Sequence, residues 1–187
     1  MSRFIKPLAF LAVIATLACI APLSDDVRAQ QDKKTEIHTD LSVLPERVKT
    51  MRTAILEAAR AGDIDAMRPV LEMNELPPTV TFGSKDDPIE FWKKTSGDGE
   101  GREYLAALVE VLEMPFARTN PGTPEEMFVW PYLARVPIKK LTPPQEVDLL
   151  RLVSPKDAKT MEDFGDYIYY RLGIGRDGTW HFFVAGD

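Results

Sequence analysis

Residues 167–187, YIYYRLGIGRDGTWHFFVAGD, are the stretch that decides the fold, because they have the pattern of a β-hairpin on which the rest of the chain can pack. Two runs rich in β-branched and aromatic residues flank the segment Gly-Arg-Asp-Gly at 175–178. Such a turn between two apolar runs is a strong hairpin signal. This end of the chain therefore predicts structure, and it does not by itself specify a biochemical activity.

The hydrophobic pattern distinguishes between two turns for this hairpin. A two-residue turn at Asp177 and Gly178 would mix apolar and polar residues on both faces. A three-residue turn, with Gly178 in the left-handed conformation and a bulge beside it, separates the faces and is therefore expected. It pairs Ile174 with Trp180, Leu172 with Phe182, and Tyr170 with Val184. The apolar face then carries Ile168, Tyr170, Leu172, Ile174, Trp180, Phe182 and Val184, and the other face carries Tyr167, Tyr169, Arg171, Gly173, His181 and Phe183.

Residues 1–29 have the features of a secretory signal peptide. A basic start precedes an apolar run over residues 8–23 (LAFLAVIATLACIAPL), and small or tolerated residues suit a signal-peptidase site after Ala29. The run is shorter than the roughly 20 residues of a membrane span. We expect cleavage after Ala29, a periplasmic or secreted protein, and no stable membrane insertion after cleavage. A retained N-terminal anchor is the main alternative, and a lipoprotein at Cys19 is a weaker one.

The composition excludes several classes of function. The formal net charge of −6 argues against a general binder of nucleic acid or of anionic membranes. The single cysteine, Cys19, lies in the signal, so the mature chain has no disulfide and no cysteine metal site. His38 lies in the polar segment 30–40, which we interpret as a flexible leader in which the imidazole is solvated. We expect no metal and no cofactor.

The remaining residues, 41–187, predict a single α+β domain, with several short helices packed on a small, mostly antiparallel sheet that ends in the C-terminal hairpin. Apolar spacing and capping residues predict helices over residues 43–61, 64–73, 88–95, 102–113, 142–153 and 154–164. Strands are predicted over residues 79–82 and 127–130, the second limited to an edge or an ending by Pro131, and residues 116–126 are expected to form a loop.

The glycine-rich segment 96–101 (SGDGEG) invites comparison with phosphate-binding loops, because glycines before a helix expose backbone N–H groups. It lacks the Gly-Lys-Ser/Thr ending, and Asp98 and Glu100 already occupy the place of an anion at the helix N-terminus. We therefore expect a loop that caps its own helix.

The second face of the hairpin carries the candidate site. Tyr169, Arg171 and His181 would point the same way within two or three residue rows and could bind a ligand. His181 is the candidate base or acid, since imidazole titrates near neutral pH. The alternative interpretation is an ordinary solvated sheet face, with Arg171 paired to a carboxylate such as Asp166. No serine lies in the setting of a catalytic nucleophile.

Two resemblances accompany these motifs. Residues 61–67 (AGDIDAM), followed by 79–82 (TVTF), resemble the opening of nuclear transport factor 2-like α+β domains, and that family implies a curved sheet with a cone-shaped pocket. Separately, a more extensive set of segments is similar to exported proteins of Gram-negative bacteria without an assigned activity. These segments are 94–102 (KTSGDGEGR), 129–132 (VWPY), 141–144 (LTPP), 173–175 (GIG) and 177–187 (DGTWHFFVAGD).

The sequence thus leads to an exported α+β domain that binds a small ligand or a cell-envelope partner without catalysis. The alternative is a small cofactor-free enzyme, an isomerase, dehydratase or hydrolase, using His181 with Tyr169 and Arg171. A buried cavity with an acid beside the imidazole would favour the enzyme, whereas an open face would contradict it. A third possibility is an assembly partner that docks through the proline-rich segment 129–144, which would require an exposed apolar patch there.

Overall fold

A five-stranded antiparallel sheet organises the computed structural model, which describes residues 35–82 and 87–186. The predicted α+β class is confirmed, and the signal peptide predicted over residues 1–29 lies outside the described residues. The strands are β1 (Thr35–His38), β2 (Phe116–Thr119), β3 (Met127–Trp130), β4 (Arg171–Gly175) and β5 (Trp180–Val184), and the helices are α1 (Glu46–Arg60), α2 (Arg68–Leu71), α3 (Pro88–Thr95), α4 (Arg102–Leu112), α5 (Pro143–Leu152) and α6 (Pro155–Phe164).

The strands lie in the sheet in the order of the chain, from β1 to β5, and each pairs antiparallel with the next. The helices α1 to α4 lie in the connection between β1 and β2, and α5 and α6 lie between β3 and β4. Within the described ranges, no helix is both long and apolar enough to cross a membrane.

The helices form where their apolar spacing and caps predict them. Helix α1 buries Val48, Met51, Ile55 and Ala59 on one face, and the chain leaves it through Gly62 at a positive φ of 73°. The predicted helix over 64–73 divides into a 3-10 turn (Ile64–Met67) and the four-residue α2, whose first turn accommodates a proline.

The caps of the later helices also match the sequence. Helix α3 begins after Asp87, whose carboxylate accepts from the Ile89 N–H at 3.0 Å. Helix α5 has a capping box, in which the Thr142 N–H donates to the Gln145 side chain at 2.8 Å. Helix α6 starts at the Ser154 cap and ends at Gly165, which has a φ of 108°.

Two predictions about the strands are wrong, and a third is confirmed. Residues 79–82 form no strand and make a single bridge from Thr79 to Phe182. The expected loop 116–126 begins with β2, a strand too short to stand out beside the turn-forming residues that follow it. The expectation that Pro131 limits the strand over 127–130 to an edge or an ending is confirmed as an ending: β3 stops at Trp130, and it lies inside the sheet, between β2 and β4.

The flexible leader predicted over 30–40 is wrong for Thr35–His38, which form the edge strand β1. Glu36 lies opposite Arg118, and His38 lies opposite Phe116. The imidazole of His38 is half-buried and stacks on the Phe116 ring, with 5.5 Å between ring centroids. Because β1 pairs with a strand nearly eighty residues further along the chain, its polar local sequence gave no strand signal.

The hairpin turn is confirmed, but the register beyond it is wrong. Ile174 lies opposite Trp180 and Gly178 has a φ of 91°, as the three-residue turn requires. The register then shifts, because His181 bulges out of β5. Consequently Gly173 lies opposite Phe182, Leu172 opposite Phe183, and Arg171 opposite Val184.

This bulge has a packing reason. It lets Trp180 and Phe183, three residues apart, both point into the core, where their ring centroids lie 6.4 Å and 6.2 Å from that of Trp92. The Phe182 ring lies instead over Gly173 on the opposite face, where a Cβ atom would come within 2.4 Å of it. Helices α1 and α4 contact β4, and the three tryptophans are buried.

Candidate functional site

The tip of the β4–β5 hairpin borders an open cleft of about 850 Å³. Its lining comes from the loop between β2 and β3, from the hairpin turn and from the first turn of α1. The residues that line the cleft are Arg47, Gly122, Thr123, Pro124, Glu125, Glu126, Met127, Gly175, Arg176, Asp177 and His181.

A buried carboxylate, Glu126, holds the walls of this cleft together. Its side chain is only 1% exposed, and Arg118 Nε donates to its Oε1 at 2.7 Å. The Gly122 N–H donates to Oε2 at 2.9 Å, and Arg176 Nη1 lies 3.6 Å from the same oxygen. Both carboxylate oxygens of Glu126 therefore interact with groups of the protein itself.

His181 and Asp177 meet above the backbone of Gly175. A Cβ atom at Gly175 would lie 2.7 Å from His181 Nε2 and 2.9 Å from Asp177 Oδ1. The Thr179 N–H donates to Asp177 Oδ1 at 3.0 Å, and this hydrogen bond, with the neighbouring His181, holds the pKa of Asp177 below its usual value. His181 is exposed to solvent. An acid therefore does lie beside the imidazole, but in an open cleft.

Two arginines give the cleft hydrogen-bond donors with spare capacity. Arg47 is exposed and has no ion-pair partner in the described part of the chain. The side chain of Arg176 is 63% exposed and approaches Glu126 through one nitrogen only. Among the acidic lining residues, Glu126 and Asp177 are engaged internally, and Glu125 is exposed. The cleft therefore offers donors to an incoming ligand.

Tyr169 does not line this cleft. It borders a separate cavity of about 410 Å³ at the junction of α5 and α6. Burial raises the pKa of its phenol, and the neighbouring Glu110 raises it further. Tyr169 and His181 are therefore parts of different cavities.

Arg171 lies at the other end of β4 from the tip cleft. It is opposite Val184, four residues before Gly175, and its Nη1 atom is buried without a hydrogen-bond partner. It forms no ion pair with any described residue, so the suggested pairing with Asp166 is not found. The structure thus places His181 apart from Tyr169 and Arg171, and His181 alone of the three borders the tip cleft.

Arg47, Arg176 and Glu126 were not identifiable as site residues from the sequence. They come from α1, the hairpin turn and the loop after β2, and no local motif links segments so far apart. The only available signal was indirect: Arg176 lies within the hairpin turn that the sequence did predict, so residues around that turn were candidates for a shared surface.

The glycine-rich loop 96–101 has the predicted self-capping structure. Asp98 Oδ1 accepts from the Glu100 N–H at 2.9 Å and from the Gly101 N–H at 3.0 Å, so it occupies the anion position itself. Within residues 35–82 and 87–186, no group of three or more acidic or imidazole side chains is arranged to hold a metal ion.

Comparisons with protein-family models, with curated proteins and with solved structures gave no match.

Proposed function

We propose that this chain is an exported domain that binds a small anionic ligand in the cleft at the tip of the hairpin, without catalysis. The observation that carries the proposal is the 850 Å³ cleft in which Arg47, Arg176 and His181 have donors available while the buried Glu126 is already hydrogen-bonded. Guanidinium groups bind carboxylate and phosphate through paired hydrogen bonds, which favours ligands that carry such groups.

Export rests on the predicted signal peptide, and it has a direct test. Expression of the full chain in a Gram-negative host, followed by fractionation and N-terminal sequencing, should give a periplasmic or secreted protein that begins at Gln30. A cytoplasmic protein that retains residues 1–29 would contradict this part of the proposal.

The geometry gives less support to the two alternatives. Catalysis by His181 with Tyr169 and Arg171 needs the three side chains in one cavity, and they lie in different places. Docking through the segment 129–144 needs exposed apolar side chains, but its large apolar residues, Trp130, Leu133 and Ile138 among them, are buried. The segment is thus part of the core.

Binding can be tested with succinate and inorganic phosphate as probes, by isothermal titration calorimetry on the mature chain. We expect the Arg47→Ala and Arg176→Ala variants to weaken binding at least about tenfold each, because each removes a charge-assisted hydrogen bond. Lys94→Ala is the matched control, since this exposed lysine of α3 lies outside the cleft and its loss changes the net charge equally.

The outcomes of this titration separate site binding from general attraction. Equal weakening in all three variants would show that the probe senses only the net charge, and it would contradict the tip cleft as the site. Native mass spectrometry of the protein purified from the envelope fraction complements the titration. A retained small molecule that is lost in Arg47→Ala would support the proposal.

A further inference from the structure

A second pair of arginines lies near the opposite end of β4. Leu172 is opposite Trp130, so Arg171 is level with Pro131, the residue that leads from β3 into the 3-10 turn Tyr132–Arg135. Arg135 ends that turn and has an exposed side chain. The sheet register therefore places Arg171 and the turn that ends at Arg135 at the same end of the sheet, and the charge of Arg171 acts on Arg135.

In the part of the chain that the structure describes, neither of these two guanidinium groups has a counter-charge. The guanidinium groups of Arg135 and Arg171 make no ion pair or hydrogen bond with another described residue, and Arg171 Nη1 is buried with no acceptor. Partial desolvation lowers the pKa of Arg135 although the residue is exposed, and the positive charge of Arg171 lowers it further, as expected for like charges. Buried polar groups are nearly always hydrogen-bonded, so an unpaired guanidinium nitrogen needs an explanation.

We propose that Arg135 and Arg171 together form a binding site for an oxyanion, a phosphate or carboxylate group of a small molecule. An anion between the two guanidinium groups would neutralise their mutual repulsion and supply the acceptor that Arg171 lacks. The planar guanidinium presents its N–H groups as a fork that matches the oxygens of phosphate and carboxylate.

This site is separate from the tip cleft and does not rest on the function proposed above. Arg171 and Gly175 are four residues apart on one strand, which corresponds to roughly 13 Å at about 3.3 Å per residue. Variants at the two places can therefore fail independently, and one set of measurements distinguishes the two sites.

The test is a titration of the mature chain with inorganic phosphate and, in parallel, with acetate at the same ionic strength. Binding is followed by calorimetry and by the NMR signals of the arginine Nε–H groups. We expect phosphate to shift the Arg135 and Arg171 signals together. Arg171→Gln and Arg135→Gln should each weaken at least about tenfold the phosphate affinity read from the Nε–H signal of the remaining arginine of the pair, whereas Lys94→Gln, at an exposed position of α3, should leave that affinity unchanged. Stronger binding of phosphate than of acetate would identify a phosphate group as the ligand chemistry, and the reverse would identify a carboxylate.

Two results would overturn the proposal. One is a titration in which neither probe shifts the Arg171 signal. The other concerns Asp187, which lies outside the described residues but is close in sequence to the end of β5. If phosphate binds only in the Asp187→Asn variant, the chain's own carboxylate occupies the arginine pair and no external ligand is needed. Circular dichroism of each variant confirms that the fold is retained.

Discussion

At the scale of single residues, Glu126 joins segments that are distant in sequence. Its carboxylate accepts from Arg118 in β2 and from Gly122 in the following loop, and its carbonyl accepts from the Arg176 N–H of the hairpin turn at 3.2 Å. Burial alone would raise the pKa of Glu126, but the hydrogen bonds from Arg118 and Gly122 outweigh it and the pKa is lowered. The charged form is therefore the one that the fold stabilises.

The lowered pKa has a defined consequence for stability. A carboxyl group whose pKa is lower in the folded than in the unfolded chain adds stability above its unfolded pKa of about 4.3, and loses it as the pH falls through the folded value. We expect Glu126→Gln to lower the free energy of unfolding by about 3 kcal/mol at pH 7, because it breaks a buried ion pair. The loss should begin to shrink below the unfolded pKa of about 4.3 and continue to shrink as the pH falls through the lower folded pKa, where the wild-type carboxyl becomes protonated as well. Urea unfolding at a series of pH values measures both effects.

The adjacent Glu125 provides the control for this prediction. It is exposed, so Glu125→Gln should change the unfolding free energy by no more than about 0.5 kcal/mol at any pH. A Glu126→Gln effect of the same size at pH 3 and at pH 7 would mean that the loss comes from packing rather than from the charge.

At the scale of elements, β5 lies at an edge of the sheet but its outer side is covered. The Trp180 N–H donates to Asn74 Oδ1, and Asn74 Nδ2 donates to the Trp180 carbonyl, both at 3.1 Å. Thr79 continues this protection, since its N–H donates to the His181 carbonyl and its carbonyl accepts from the Phe183 N–H, both at 2.9 Å. Open edges invite pairing with other chains, so these two residues replace a sixth strand.

Removing the side-chain amide should therefore expose this edge. We expect Asn74→Ala to lower the free energy of unfolding by about 1–3 kcal/mol, because it leaves two main-chain groups of Trp180 without partners. The Trp180 amide should exchange faster with solvent, and light scattering on heating should rise with protein concentration. The neighbouring variant Glu75→Ala, at an exposed position, should behave as the wild type. Unchanged exchange at Trp180 would show that the amide of Asn74 is dispensable.

The elements also show what a sequence can predict. Helices α1 and α3 to α6 follow from caps and apolar spacing, which are local signals. Strands β1 and β2 form because they pair with each other across the long connection between them. Each has only four residues, and so short a segment has little local preference for the β conformation. The hairpin was predictable up to Trp180, but the bulge at His181 depends on the packing of Phe183 against Trp92, which only the assembled core provides.

The candidate site was predictable only in part for the same reason. His181 could be identified as a titratable residue on the hairpin. Grouping it with Tyr169 and Arg171 assumed that β5 is a regular strand. The bulge at His181 shows that β5 is irregular, so the expected arrangement of the three side chains does not follow. The residues that do accompany His181 meet it through tertiary packing, as the contact between Gly178 and the backbone of Arg47 shows: a Cβ atom at Gly178 would lie 3.0 Å from the Arg47 carbonyl oxygen.

At the scale of the whole molecule, the sheet is complete only when residues before position 41 are included. Strand β1 covers the outer edge of β2, His38 covers the Phe116 ring, and Arg118 Nη1 lies 3.6 Å from Glu36 Oε2. Arg118 also holds Glu126, so the edge strand supports the ion pair beneath the tip cleft. The folded unit therefore begins at least at Thr35 and not at Leu41.

A chain that begins at Leu41 should consequently be less stable than one that begins at Lys33. We expect a loss of about 3 kcal/mol in the free energy of unfolding, from the ring contact of His38 and the main-chain hydrogen bonds of β1 together. Hydrogen exchange should locate the effect, because the amides of β2 lose their cover while those of α5 and α6 do not. His38→Ala in the longer chain isolates the ring contact and should cost about 1 kcal/mol. If the two chains unfold at the same denaturant concentration, β1 adds nothing to the fold and the domain begins with the helices.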